Sequence, residues 1–207
     1  MQRYLDDGLL IVEDLFAKTE LQPVLDAIEG IVDEMAERLH VAGRIVDKHA
    51  DKGVYTRMTA LEADYPGAAL LVHLRGIMEP AIVDLWSGDR LLGVVERLIG
   101  PDIAGYPVWN LHPKMPHPRI ELNPHTKTPV GNFMSTPWHQ DSAFYTEDGT
   151  ERLFTVAAWI PLLDIGMENG PLQVVRGGHR AGQLPHHLAA KHGDEGSFHL
   201  FIKEDDL

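Results

Sequence analysis

Thr136-Pro137-Trp138-His139-Gln140-Asp141 sets an imidazole and a carboxylate two residues apart. In an extended strand residues i and i+2 point to one face, so His139 and Asp141 would stand side by side while Gln140 faces away. Such a pair is two-thirds of a 2-His-1-carboxylate facial triad, which holds Fe(II) on one face of an octahedron and leaves the other positions open. A tripeptide arises often by chance, and in isolation a surface His beside a surface Asp is the better account of it. Its surroundings must decide.

Around and beyond this stretch the chain reads as short strands. From Tyr106 onward Pro, Gly, His and aromatic residues rise and apolar runs shorten. Turn signals at Glu147-Asp148-Gly149 and Glu168-Asn169-Gly170 separate the segments, of which Thr155 to Ile160 and Leu172 to Val175 are the clearest strands. Upstream, Val24, Leu25, Ile28, Ile31, Val32, Met35 and Leu39 recur at three- and four-residue steps, the period of a helix with one buried face. Thr19 with Gln22 reads as its capping box, with Pro23 in the first turn. Further helices are expected near Ala68 to Leu74 and over Asp89 to Ile99, the latter stopped by Gly100-Pro101. Gly8 to Val12 reads as a buried strand.

Helices followed by short strands predict a sandwich or barrel buttressed by helices. No linker marks a boundary. One domain over 1–207 is expected, with 1–105 as mainly helical support and 106–207 as barrel strands.

The composition is that of a folded globular protein: 207 residues, 44% hydrophobic and 24% charged. Absence of Cys rules out disulfides, thiolate metal sites and a Cys nucleophile. With 18 basic against 31 acidic side chains the net charge is −13, a field that repels phosphate backbones and anionic membranes, and no basic patch offsets it. The most apolar stretch, Leu153 to Leu163, is far short of the ~18–20 residues needed to span a bilayer. No nucleic acid, no membrane and a cytoplasmic location are therefore expected, with oligomeric state left open. Gly177-Gly178 lacks the Lys-Ser/Thr of a phosphate loop, and no Gly-x-Ser-x-Gly elbow is present.

Downstream of His139 come Trp159-Ile160-Pro161-Leu162-Leu163-Asp164 and then Glu168-Asn169-Gly170-Pro171-Leu172-Gln173-Val174-Val175-Arg176-Gly177-Gly178-His179-Arg180-Ala181-Gly182. With the opening Tyr4-Leu5-Asp6-Asp7-Gly8-Leu9-Leu10-Ile11-Val12, these blocks resemble, in order and spacing, the phytanoyl-CoA dioxygenase family of Fe(II)/2-oxoglutarate oxygenases. The resemblance runs from residue 4 to at least 182. It implies a double-stranded β-helix, the cupin-like jelly roll, with N-terminal helices on its outer face. It implies His139 and Asp141 as iron ligands, Trp159 as a wall of the 2-oxoglutarate pocket, and Asn110 and Lys114 as co-substrate contacts. Lys114 is followed by Met115-Pro116 where the family more usually has a Pro pair.

The resemblance also implies that His179 is a structural turn residue. The second ligand His and the 2-oxoglutarate-clamping Arg lie later, and no Arg follows Arg180 here. The chain is accordingly expected to stop before its last strands, with the third ligand beyond Leu207. Substitution by His186, His187, His192 or His199 is the alternative, His199 being the best placed of these. His112, His117 and His125 read as loop residues in a Pro-broken region, and His40, His49 and His73 have no companion pattern.

The implied activity is hydroxylation of a small organic molecule using O2, coupled to oxidative decarboxylation of 2-oxoglutarate to succinate and CO2. Three alternatives stay open: a non-catalytic or fragmentary relative that keeps the barrel as a binding module, a metal-dependent cupin of another reaction class, and a structural role without metal.

Overall fold

The computed structural model describes residues 2–106, 109–115, 136–144, 155–188 and 200–207. His117, His125, His192, His199 and the turn signal at Glu147 to Gly149 lie outside them. The helices run in the order α1 (Gln2–Asp7), α2 (Lys18–Val41), α3 (Val54–Asp64), α4 (Ala68–His73), α5 (Pro80–Trp86) and α6 (Asp89–Ile99). Among the described residues one antiparallel ladder follows, β1 (His187–Leu188) with β2 (Leu200–Phe201), pairing His187 with Phe201. The chain divides into two compact units: Val12–Pro116 with Ile160–Gly170, and Met1–Ile11 with His117–Trp159 and Pro171–Leu207.

The first of these is helical, and α2 is its axis. Val24, Ile31, Val32, Met35, Ala36 and Leu39 form the buried face anticipated from their spacing. Onto it pack α3, α4 and α5, while α6 packs on α5. Met58 and Leu61 come from α3, Ala68, Ala69 and Val72 from α4, and Ile82 from α5. Small residues at the start of α4 let its backbone approach closely, and the long side chains of α2 and α3 fill the space.

The start of α2 differs from the sequence expectation. Ala17 is the N-cap, and the Glu20 carboxylate accepts its N–H at 2.8 Å. Thr19 is already helical, and Pro23 is the sixth helical residue rather than part of the first turn, so the Thr19 carbonyl has no i+4 donor there. The reason is that Glu20 reaches back to a backbone N–H, which needs no Ser or Thr at the cap. A similar role falls to Glu62 of α3, whose two carboxylate oxygens accept the Gly67 and Ala69 N–H groups at 2.9 and 2.8 Å and so cap α4. Arg57, the one buried charged side chain among the described residues, donates to the Lys48 carbonyl at 2.9 Å and pairs with Asp33.

In the other unit, helix α1 leads into the segment expected as a strand, Gly8 to Val12, which ends at the boundary between the units and joins no ladder among the described residues. Helix α1 buries none of its residues. It is held instead by the segment around His179. The Gly177 N–H donates to the Asp7 carbonyl at 2.7 Å, and His179 Nε2–H donates to the Leu5 carbonyl at 2.9 Å. Arg180 lies 3.4 Å from Asp6 and Arg176 3.8 Å from Asp7, exposed pairs that add little. Two of the sequence blocks noted above, at Tyr4 to Val12 and Arg176 to Arg180, are thus the two halves of one clasp.

Gly8 is required by this clasp on two counts. Its φ is +75°, and a Cβ there would lie 2.3 Å from His179 Nδ1. Gly8→Ala is expected to destabilise the protein by about 1–2 kcal/mol through the left-handed backbone alone, and by more through the clash. Urea denaturation checks this, and His179→Ala in the same background should relieve the clash while losing the bond to the Leu5 carbonyl, which His179→Ala alone measures.

Thr155 to Ile160 and Leu172 to Val175, expected as strands, join no ladder among the described residues.

Candidate metal centre

His139 and Asp141 come together in the second unit as their spacing foretold, though on a different backbone. Asp141 opens a 3-10 turn, Asp141–Phe144, instead of continuing a strand. The segment before it is held by isolated bonds: the Ile202 N–H, just past β2, donates to the Trp138 carbonyl at 2.7 Å, and the Gln140 side chain bonds to residues 182 and 184. Anchoring on both sides of His139 replaces a ladder, and the i, i+2 juxtaposition is kept.

The atoms facing each other are His139 Nε2 and Asp141 Oδ1, 3.1 Å apart. On the opposite edge of the ring, Nδ1 lies 2.8 Å from the Pro137 carbonyl. A carbonyl oxygen only accepts, so Nδ1 carries a hydrogen and Nε2 is the atom left to meet a proton or a metal. The hydrogen bond that the Asp141 carboxylate accepts holds the His139 pKa above its ordinary 6.5, helped by the Pro137 carbonyl and opposed by burial. The same bond lowers the Asp141 carboxyl below its ordinary 3.8, against a desolvation penalty.

A raised His pKa contributes stability that is complete below the unfolded value and disappears as pH rises through the folded one. A lowered Asp pKa contributes stability that is complete above the unfolded value and disappears as pH falls through the folded one. In metal-free protein the pair therefore stabilises most between about pH 4 and 6.5. Both side chains are partly exposed, 26% and 45%, so the effect is screened to about 1 kcal/mol or less. Urea melts of wild type and Asp141→Asn across pH 3 to 9 should diverge most in that window and converge on either side.

The donor set fits a divalent ion. Two adjacent ligands of an octahedral ion, each at about 2.1 Å, stand about 3 Å apart, and His139 Nε2 and Asp141 Oδ1 stand at 3.1 Å. Among the described residues no third His, Asp or Glu completes the set. His186 directs Nε2 at the Gln140 N–H, 2.9 Å away, and His187 directs Nε2 at Asp206, 3.3 Å away. Both are engaged elsewhere. His179 is taken up by the α1 clasp, His73 Nδ1 donates to the Leu111 carbonyl at 2.8 Å, and His49 Nε2 sits 2.8 Å from Asp64.

Trp159, 41% exposed, belongs to the same unit as the His139–Asp141 pair, whereas Asn110 and Lys114 belong to the helical unit. Lys114 is exposed as a residue, yet desolvation around its amine lowers its pKa. The role of Gln140 and His186 was missed in the sequence, where Gln140 was only the residue facing away.

No helix among the described residues is long and apolar enough to cross a membrane. No solved structure matches the chain. Proteins named ectoine dioxygenase from Bordetella parapertussis (strain 12822 / ATCC BAA-587 / NCTC 13253) and Bordetella bronchiseptica (strain ATCC BAA-588 / NCTC 13252 / RB50) are each 22% identical over 181 residues. That alignment takes in 87% of this chain and 48% of each relative, so the chain spans about half the length of the curated relatives it matches. The family described as Phytanoyl-CoA dioxygenase (PhyH) matches residues 4–206, from the α1 clasp through the His139–Asp141 pair to the last turn after β2. The chain belongs to the phytanoyl-CoA dioxygenase family.

Proposed function

We propose that this chain carries the iron-binding part of an Fe(II)- and 2-oxoglutarate-dependent dioxygenase that hydroxylates a small organic molecule. The observation that carries the proposal is the approach of His139 Nε2 and Asp141 Oδ1 to 3.1 Å, with the far side of the imidazole fixed on the Pro137 carbonyl. When bound, Fe(II) would supply the O2 chemistry, converting 2-oxoglutarate to succinate and CO2 as the substrate is hydroxylated. His139 contributes a neutral nitrogen whose orientation is preset, and below its raised pKa must give up an Nε2 proton to do so. Asp141 contributes the charge that partly neutralises the ion and, in its absence, holds that proton.

Trp159 is proposed as a wall beside the co-substrate, and Asn110 and Lys114 as contacts to its carboxylates. A lysine whose ammonium is partly desolvated meets a carboxylate with less solvent to displace. The proposed architecture remains the double-stranded β-helix of the family with its helical support, as a single domain. The third ligand and the clamping Arg are proposed to come from outside the described residues. Ectoine is the first substrate to try, because the matched relatives are named for it; at 22% identity the reaction class is better supported than the substrate.

The decisive experiment measures 2-oxoglutarate consumption and succinate formation by the full-length protein, with and without Fe(II) under air. Iron-dependent turnover, even uncoupled from a substrate, is expected. No consumption and no 2-oxoglutarate binding with any substrate tried would overturn the reading.

A further inference from the structure

Gln140, between the two candidate ligands, is tied to the rest of its unit through both its side chain and its backbone N–H. Its side-chain Nε2 donates to the Gly182 carbonyl at 2.8 Å, and its Oε1 accepts the Leu184 N–H at 2.7 Å. The amide thus spans the 182–184 backbone as a strand neighbour would. Its own N–H donates to His186 Nε2 at 2.9 Å, and His186 Nδ1 lies 2.8 Å from the Leu184 carbonyl. Because that carbonyl only accepts and a peptide N–H only donates, His186 must be the neutral Nδ1–H tautomer with its Nε2 lone pair on Gln140.

We infer that Gln140 and His186 are positioning residues of the metal centre. His186 fixes the peptide preceding Gln140 Cα, which is the His139–Gln140 bond, and the Gln140 amide fixes the residue itself. Side chains one position either side, His139 and Asp141, then leave the backbone in the directions that bring Nε2 and Oδ1 together. His186 acts through Gln140, with its two ring nitrogens on the Gln140 N–H and the Leu184 carbonyl. This rests on the proposed metal centre, which it deepens by naming what holds the pair in place.

The test uses the 207-residue chain, with Co(II) as the probe followed by its visible absorption. His186→Phe keeps the ring but removes the acceptor and is expected to weaken Co(II) binding about 10–100-fold. His186→Gln can accept through Oε1 and donate through Nε2, and is expected to restore binding to within a few-fold of wild type. His139→Ala serves as the reference. If His139→Ala leaves Co(II) affinity unchanged, the metal centre itself is wrong.

If His139→Ala abolishes binding while His186→Phe binds as wild type does, the positioning inference alone fails. Equal losses in His186→Phe and His186→Gln would make His186 a ligand and also overturn it. In metal-free wild type, long-range 15N spectra should show His186 protonated at Nδ1, and the Gln140 amide should exchange slowly with solvent. An Nε2–H tautomer, or exchange at the rate of an open amide, would overturn the inference even if the Phe variant did not fold.

Discussion

His139→Ala is expected to weaken Fe(II) or Co(II) binding by more than about 100-fold, since even residues that only support a ligand cost 10–100-fold. It removes the nitrogen facing Asp141 Oδ1 across 3.1 Å and leaves a lone carboxylate that is 45% exposed. A single exposed carboxylate holds a divalent ion weakly against water. Calorimetric titration under anaerobic conditions reads the change directly. Below the raised His139 pKa the wild-type titration should release a proton, because the metal displaces the hydrogen that bridges Nε2 to Asp141. Apparent affinity should therefore fall as pH drops below the raised His139 pKa. Proton release and its pH dependence should both vanish in the variant. Unchanged affinity would make the His139–Asp141 contact an ordinary surface pair.

Leu61→Ala is expected to destabilise the protein by about 3 kcal/mol, within the range for a buried Leu whose site collapses only in part. Leu61 is fully buried in α3, the helix that packs on both α2 and α4. Neither neighbour can move inward freely, because α4 is tied to α3 through the Glu62 carboxylate. Equilibrium urea denaturation should show a lower midpoint with an unchanged slope. Leu74→Ala, at a position 66% exposed, is the control and should change stability by less than about 0.5 kcal/mol.

What could be read from the chain in advance follows from the range over which each interaction acts. Helices α2 and α6 were legible because their signals are local: a 3.6-residue apolar period in one, a Gly-Pro stop in the other. Helix α3 was not, since Arg57 sits on its buried face and finds its partners at Lys48 and Asp33. Helix α5 has seven residues and one buried side chain, too little to set a period. The apolar run at Gly8 to Val12 suggested a strand, but a strand needs a partner, and pairing is not written in five residues. Ile11 is in fact 77% exposed.

The candidate site divides in the same way. His139 and Asp141 were flagged by a two-residue spacing and singled out only by the family resemblance of the blocks around them. The acceptor on Gln140 comes from 46 residues further on, and its role depends on a tautomer set by the Leu184 carbonyl. Spacing along the chain carries no trace of that.

The clasp between α1 and the turn at His179 has a consequence for synthesis. Leu5 and His179 are 174 residues apart, and α1 buries nothing that could hold it meanwhile. At roughly 5–20 residues per second, a ribosome needs on the order of 10–35 s to make the second half of this contact after the first. For that interval α1 lacks the partner that holds it and stays open to chaperones, and it is withdrawn from them only once the segment around His179 has emerged.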